Sequence, residues 1–342
     1  MTAHFPDTGT IRTVLTLASR APSVHNTQPW RWQVGESSLH LYSDTSLQLP
    51  NTDPEGRDLI LSCGAALNHC VIALAATGWQ AKVSRLPNPA DSNHLAAIEV
   101  SRQNADPLDI SLAAAIPRRR TDRRHYSFWP VPVSDIALMA ARAARNGVTL
   151  RQVDAMDKLN AIVAKSVWDH ASDNGYLAEL SAWSGRHASV VGVPARNTPI
   201  PDPMAPIPGR RFAGPALAMP PDASPAEDNT VMLALGTRAD DRLAQLRAGE
   251  ATSVVLLTAT AMGLASCPVT EPLEIAETRA AVRADVFGDS QYPQMLLRVG
   301  WAPINADPLP STPRRELSEI VDWVADSETA SPDSGWTPML AE

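Results

Sequence analysis

Five arginines fall within seven residues, Arg118-Arg119-Arg120-Thr121-Asp122-Arg123-Arg124. Guanidinium groups grip phosphate oxygens in a bidentate fork, and the Thr121 hydroxyl adds a hydrogen bond at a helix start. A second basic pair, Arg314-Arg315, follows Pro313 just ahead of a helical pattern running from Leu317 to Val324. If the fold brings the two together they form one phosphate pocket; if not, the first is a solvated basic stretch between units. The segment Pro22-Ser23-Val24-His25-Asn26-Thr27-Gln28-Pro29-Trp30 is the other dense feature. Ser23, His25, Asn26 and Gln28 crowd donors and acceptors onto a stiff, proline-bounded loop. Such a loop either reads the edge of a polar heterocycle or spends its polar groups on its own backbone. Cys63 and Cys70 share a helix face beside His69, a pattern that packing explains better than metal binding, so no metal site is expected. No GxGxxG follows a strand, and no GxxxxGK[ST] or GxSxG is present, which disfavours a dinucleotide Rossmann domain, a P-loop NTPase and a nucleophile elbow.

Those residues must be held by something, and 342 residues suffice for about two domains with a real core. A hydrophobic share of 44% with 19% charged residues excludes wholesale disorder. The net charge of -8 argues against a nucleic-acid partner, so any basic site must be local. Three cysteines without a CxxC pair suit a reducing compartment. With no apolar leader and no unbroken apolar stretch of spanning length, the expectation is a soluble cytoplasmic protein without a membrane partner.

Periodicity predicts a helix over Thr10 to Ser19, a hairpin of Trp30 to Val34 with Leu39 to Tyr42, and a strong helix from Asp58 to Thr77 stopped by Gly78. Strands follow at Trp79 to Leu86 and Leu95 to Ser101. The second half predicts a helix from Pro132 to Arg145, a strand from Val148 to Val153 and one long helix from Met156 to Trp183. Beyond Gly263 it predicts a helix from Ala276 to Val286 and a strand from Gln294 to Trp301. Between Gly192 and Pro225, ten prolines in 34 residues mark a lid, an inserted arm or a flexible excursion. Two helices are also alike: Gly64 to Gly78 and Gly249 to Gly263 each run 14 residues from glycine to glycine through an Ala/Leu-rich body. That likeness points to an internal duplication.

The Pro22 to Trp30 segment resembles the P-S-x-x-N-x-Q-P-W signature of FMN-dependent nitroreductases. Arg119-Arg120-Thr121-Asp122-Arg123 is similar to that family's R-R-S/T-x-R phosphate motif, and Met295 to Gly300 with Arg314-Arg315 resembles its last strand and terminal arginines. The order of the two main motifs is reversed relative to an ordinary nitroreductase homodimer subunit, a layout similar to the Acg-type proteins. The resemblance implies an α+β fold of two tandem nitroreductase-like α/β units forming an intramolecular pseudo-dimer, hence a monomer. The units would span 1–110 and 111–326, with a proline-rich lid or insertion at 192–225 and a flexible tail at 327–342. It further implies one FMN held by Ser23, His25, Asn26, Gln28, Arg119, Arg120, Thr121, Arg123, Arg314 and Arg315. Ser266, Cys267 and Pro268 would form a loop near flavin N5, and no catalytic side chain is required. The implied function is hydride transfer from NAD(P)H through FMN to a small-molecule acceptor, a nitro compound or quinone. The alternative is an FMN-sequestering protein with its flavin covered, anchored by Trp183, Arg210, Arg211 and Phe212.

Overall fold

The computed structural model describes residues 5–185, 189–202, 204–205, 207–220, 226, 228–303 and 305–324; the predicted tail lies outside them. Helix α1 (Thr8–Ala18) begins at Asp7, whose carboxylate accepts from the Thr10 N–H at 2.9 Å. A short loop leads to the hairpin β1 (Trp30–Val34) and β2 (Ser38–Ser43), then helix α2 (Arg57–Ala76), β3 (Trp79–Arg85) and β4 (His94–Arg102). Helix α3 (Pro107–Ala115) and the arginine run lead to α4 (Val133–Ala144) and β5 (Thr149–Gln152). Next come α5 (Met156–Ala171), α6 (Asn174–Ala182), the proline-rich segment, β6 (Val231–Thr237) and helix α7 (Arg242–Ala261). The chain closes with β7 (Ala265–Val269), the single turn α8 (Glu271–Glu274), α9 (Ala276–Phe287), β8 (Tyr292–Gly300), α10 (Leu317–Ile320) and β9 (Val321–Trp323).

The duplication is visible in the topology. The first sheet runs β3-β4-β2-β1 and the second β7-β8-β6-β5, each with its long buried helix between the second and third of its four strands in chain order. Every pairing inside these four-strand sets is antiparallel, and each set shifts register once, at Leu41/Tyr42 in β2 and at Leu235/Gly236 in β6. Helices α2 and α7 are buried on most of their faces, packed on each other between the sheets. Their crossing falls on the matched glycines. A Cβ on Gly64 would lie 2.1 Å from the Leu246 carbonyl oxygen, and one on Gly249 would lie 2.1 Å from that of Leu61. Each blocking carbonyl sits three residues before the opposing glycine, as a two-fold relation between the halves requires. The fold is therefore α+β with two like units in one chain.

Three sequence-based expectations change, and two elements were not foreseen. The helix predicted from Met156 to Trp183 breaks after Ala171, because Asp173 caps a new helix by accepting from Gly175 and Tyr176 N–H. The predicted loop at Ser266-Cys267-Pro268 is strand β7; Pro268 is tolerated because β7 is an edge strand. The Leu317 to Val324 helix is one turn followed by β9, which pairs parallel with β1, so this late segment completes the first sheet. Strand β6 and helix α3 were not among the predicted elements, the first because a short apolar run beside a proline-rich stretch carries no period.

Candidate functional site

A cavity of about 200 Å³ opens where the two halves meet, under the proline-rich segment. The first half supplies Ser23, His25 and Asn26 from the loop after α1, and Asp58, Leu61, Ser62 and Ala65 from the start of α2. The second half brings Arg119, Thr121, Arg123, Cys267, Pro268 and Arg314. The Ser23 loop and the arginine run, whose nearest lining residues Asn26 and Arg119 are 93 positions apart, thus share one wall. Gln28, Arg120, Ser266 and Arg315 do not line it.

The Ser23 loop is tightly bent. His25, Asn26 and Gln28 have φ of 43°, 57° and 55°, a left-handed conformation that non-glycine residues adopt at a cost and that clusters at functional sites. Ser23 Oγ accepts from the Gln28 N–H, and Ser62 Oγ accepts from the Val24 N–H. Gln28 braces the loop from behind: its Nε2 donates to the Val190 carbonyl and its Oε1 accepts from the Arg315 N–H, both at 2.9 Å. Asn26 Nδ2 donates to the carbonyls of Gly192 and Pro313. The Arg314 guanidinium is saturated by the carbonyls of Ser19, Arg20, Ala21, Thr312 and Pro313 and by Asn26 Oδ1. It sits beyond the last turn of α1, where a cation complements the helix dipole, and holds the loop in place. Arg315 is mostly covered and turns to Glu319 and Asp44.

The arginine run divides its work. Arg124 forms a buried pair with Asp122 at 2.9 Å, and the Asp122 N–H donates to the Ser266 carbonyl, which ties the run to β7. Arg123 donates to the Asn197 carbonyl and lies over the Phe212 ring. Arg120 folds back onto the carbonyls of Pro117 and Arg119. Arg119 is buried, and its Nε and Nη1 have no hydrogen-bond partner. Burial, with Arg120 and Arg20 beside it, pushes Arg119 down to about 10. Burial, with Arg119, Arg20 and Arg120, pushes Arg314 down to about 9. No ion pair joins Arg20, Arg119, Arg120 or Arg314 to a carboxylate among the described residues. Clustered guanidiniums that repel one another, with orphaned N–H groups, form a site built for an anion carrying more than one charge. Arg20 was missed from the sequence although it stands two residues before Pro22, because a single arginine at a helix end has no distinguishing signal.

Described residues of the proline-rich segment border the cavity. Pro199, Ile200, Pro201, Ile207, Pro208 and Phe212 line it. Arg210 anchors the segment: it reaches His25 Nε2, Thr270 Oγ1 and Glu274 Oε1, its side chain only 9% exposed and that of Glu274 1%. Burial alone would depress Arg210, but Glu274, Tyr176 and Glu271 outweigh it and keep it firmly charged. His25, by contrast, is held well below its usual range by burial and by Arg210 and Arg123. A second anchor is His125, whose ring nitrogens each lie 3.1 Å from a carboxylate, Asp202 of the segment and Asp228 beyond it. Of the other foreseen anchors, Phe212 lines the cavity, the Trp183 carbonyl accepts from the Val193 N–H, and Arg211 is exposed. Burial pushes up the Cys267 thiol. His125, Asp202, Asp58, Thr252 and Arg298 also line the cavity and were not singled out in the sequence.

A two-unit α+β fold with a ligand cavity between its halves is the class that the structure defines. No family model matches the chain. It is 69% identical over 323 residues, 94% of each chain, to Rv3131 of Mycobacterium tuberculosis H37Rv, a protein named as a candidate NAD(P)H nitroreductase. It is 37% identical over 321 residues, 92% of this chain and 95% of the other, to Acg of the same strain, which is named likewise. The FMN-dependent nitroreductase NfnB of Mycobacterium smegmatis, solved in complex with NADPH, aligns over 64% of this chain and all of its own with 16% identity and a TM-score of 0.40. The chain belongs to the NAD(P)H nitroreductase-like family that includes Acg.

Proposed function

We propose that the cavity binds FMN and passes electrons from NAD(P)H to a small-molecule acceptor, a nitro compound or a quinone. The observation that carries this reading is the cluster of Arg20, Arg119, Arg120 and Arg314, without a carboxylate, next to the Ser23 loop. A phosphate dianion fits the orphaned Arg119 donors, with Thr121 beside them on the same wall. Ser23, His25 and Asn26 bound the next part of the cavity, and Cys267 and Pro268 of β7 bound another. Family membership supports the same reading. When bound, the flavin supplies the hydride chemistry; the protein supplies charge, orientation and exclusion of water. No nucleophilic side chain is needed in this reading.

The segment 192–225 acts in this reading as a lid, pinned by Arg210 on Glu274 and by His125 on Asp202. Those buried anchors also support a second reading, sequestration of FMN with little turnover. The fused repeat supports a chain that works as a single copy, which sedimentation tests. The visible spectrum of FMN-loaded protein, recorded anaerobically as NADPH and then NADH is added, separates the two readings. Rapid bleaching followed by reoxidation with a quinone establishes turnover. Flavin that dithionite reduces and neither nucleotide does establishes sequestration, and a protein that holds no FMN overturns both.

A further inference from the structure

His25 differs from the other histidines of this region. His125 and His170 each have a carboxylate facing both ring nitrogens, Asp202 and Asp228 for the first, Glu271 and Glu274 for the second. His25 meets cations instead. Arg210 Nη1 reaches its Nε2, and the Phe212 ring, which Arg123 covers, stands edge-on to it at 6.1 Å between centroids. A guanidinium carries donors only, so Nε2 must be the lone-pair nitrogen and the ring's single proton sits on Nδ1. That Nδ1–H has no hydrogen-bond partner among the described residues. His25 is 6% exposed, lines the cavity and is held at a φ of 43°, a backbone conformation that persists only where the surroundings impose it. Native structures rarely leave a buried N–H alone, and one left alone in a cavity wall has its partner in the ligand.

We propose that Arg210 fixes His25 as a neutral imidazole whose Nδ1–H hydrogen-bonds an oxygen of the bound ligand, a ring carbonyl of the flavin or the carbonyl or nitro oxygen of the acceptor. The inference rests on the redox reading above. Burial, then Arg210, Arg123 and His170, hold His25 well below its usual range, in keeping with a ring that carries one proton at neutral pH. The same two guanidiniums select the kind of oxygen. Beside them, an oxygen that gains negative charge as electrons arrive is favoured over its uncharged form, so the hydrogen bond tightens during reduction. No proton needs to leave the ring. Arg210 is then a positioning residue that acts through His25, and it comes from the proline-rich segment while His25 comes from the loop after α1. The segment therefore sets the chemical state of a group in the other half of the chain.

The test has two parts. Nitrogen NMR of ligand-free protein carrying 15N-labelled histidine, with the His25 signals assigned by their loss in His25→Gln, shows a protonated Nδ1 and a lone-pair Nε2 at pH 7. A proton on Nε2, or on both nitrogens, overturns the inference. FMN is then added, and after it a quinone, the flavin staying oxidised so that nothing reacts. A shift of the Nδ1–H signal on FMN loading identifies a flavin oxygen as the partner; a shift only when the quinone follows identifies the acceptor. The second part compares two variants. Asn places an amide N–H where Nδ1–H stood and tolerates a positive φ, whereas Gln places its own further out. His25→Gln therefore weakens the ligand so identified roughly tenfold, and His25→Asn keeps most of the affinity. A protein that holds neither FMN nor quinone fails the redox reading and this contact together. One that holds FMN but shifts the Nδ1–H signal with neither ligand, or loses as much affinity in His25→Asn as in His25→Gln, overturns this inference alone.

Discussion

Replacing a helical glycine by alanine usually stabilises a protein by about 1 kcal/mol; at Gly64 the sign should reverse. The added methyl would lie 2.1 Å from the Leu246 carbonyl oxygen and 3.0 Å from the Gly249 Cα. A carbon–oxygen contact at a helix crossing settles near roughly 3.3 Å, so α2 and α7 must part by about 1 Å. A gap of that size forfeits roughly a quarter to a half of the dispersion energy across it. Overpacking of this kind costs about 3 kcal/mol at the upper end of its usual range, and the propensity gain offsets about 1 kcal/mol of that. The net for Gly64→Ala is a loss of about 2 kcal/mol, read as a lower denaturation midpoint of the ligand-free protein. Gly249→Ala should cost a similar amount, because Leu61 opposes it at the same 2.1 Å. The double variant should lose clearly less than the two single losses together, since the first substitution has already opened the gap. A Gly64→Ala protein that melts at or above the parent temperature would refute this account of the crossing. FMN affinity should fall in parallel, because Ser62 and Ala65 of α2 and Thr252 of α7 line the cavity on either side of that crossing.

Further predictions follow from the buried charges. Phosphate or FMN at 100 times its Kd should stabilise the protein by about 2.7 kcal/mol, and Arg119→Ala should remove most of that gain, as thermal shift will show. His69 is held down to about 3 by burial and by Arg119, Arg314 and Arg20. As pH falls below 6.5 the unfolded chain takes up a proton that the folded chain refuses until about 3, so stability declines through that window by up to ~1.4 kcal/mol per pH unit. Urea midpoints at neutral and mildly acidic pH should therefore differ less in His69→Gln than in the parent. Arg210→Ala leaves Glu274 buried and unpaired, which should cost about 3–5 kcal/mol. The same change should expose bound flavin to a fluorescence quencher; unchanged quenching would remove the lid role.

Both long buried helices, the first hairpin and the repeat were legible because glycine stops and sustained apolar runs leave a mark in sequence. The Ser23 loop and the arginine run were equally legible as chemistry, since unusual residue types crowd together there. What sequence could not show was which donors are already spent. Arg314 and Gln28 carry the right groups for a ligand, yet their hydrogen bonds go to the loop and its surroundings. Asp58 carried no signal at all: an acidic residue opening a helix is ordinary, and only the fold reveals that it is buried on the cavity wall beside Arg57. Strand β9 was hidden for a related reason, because Val321, Asp322 and Trp323 become a strand only through the partner they find in β1.

That last strand has a consequence for how the chain matures. Until β9 arrives, Trp32 to Val34 of β1 present an unpaired backbone edge next to the freshly formed hairpin, a surface on which a second nascent molecule could zip. Nearly three hundred residues separate the two strands. The first half therefore stays adhesive through most of synthesis, and a ribosome that stops short of Val321 releases a product prone to aggregate.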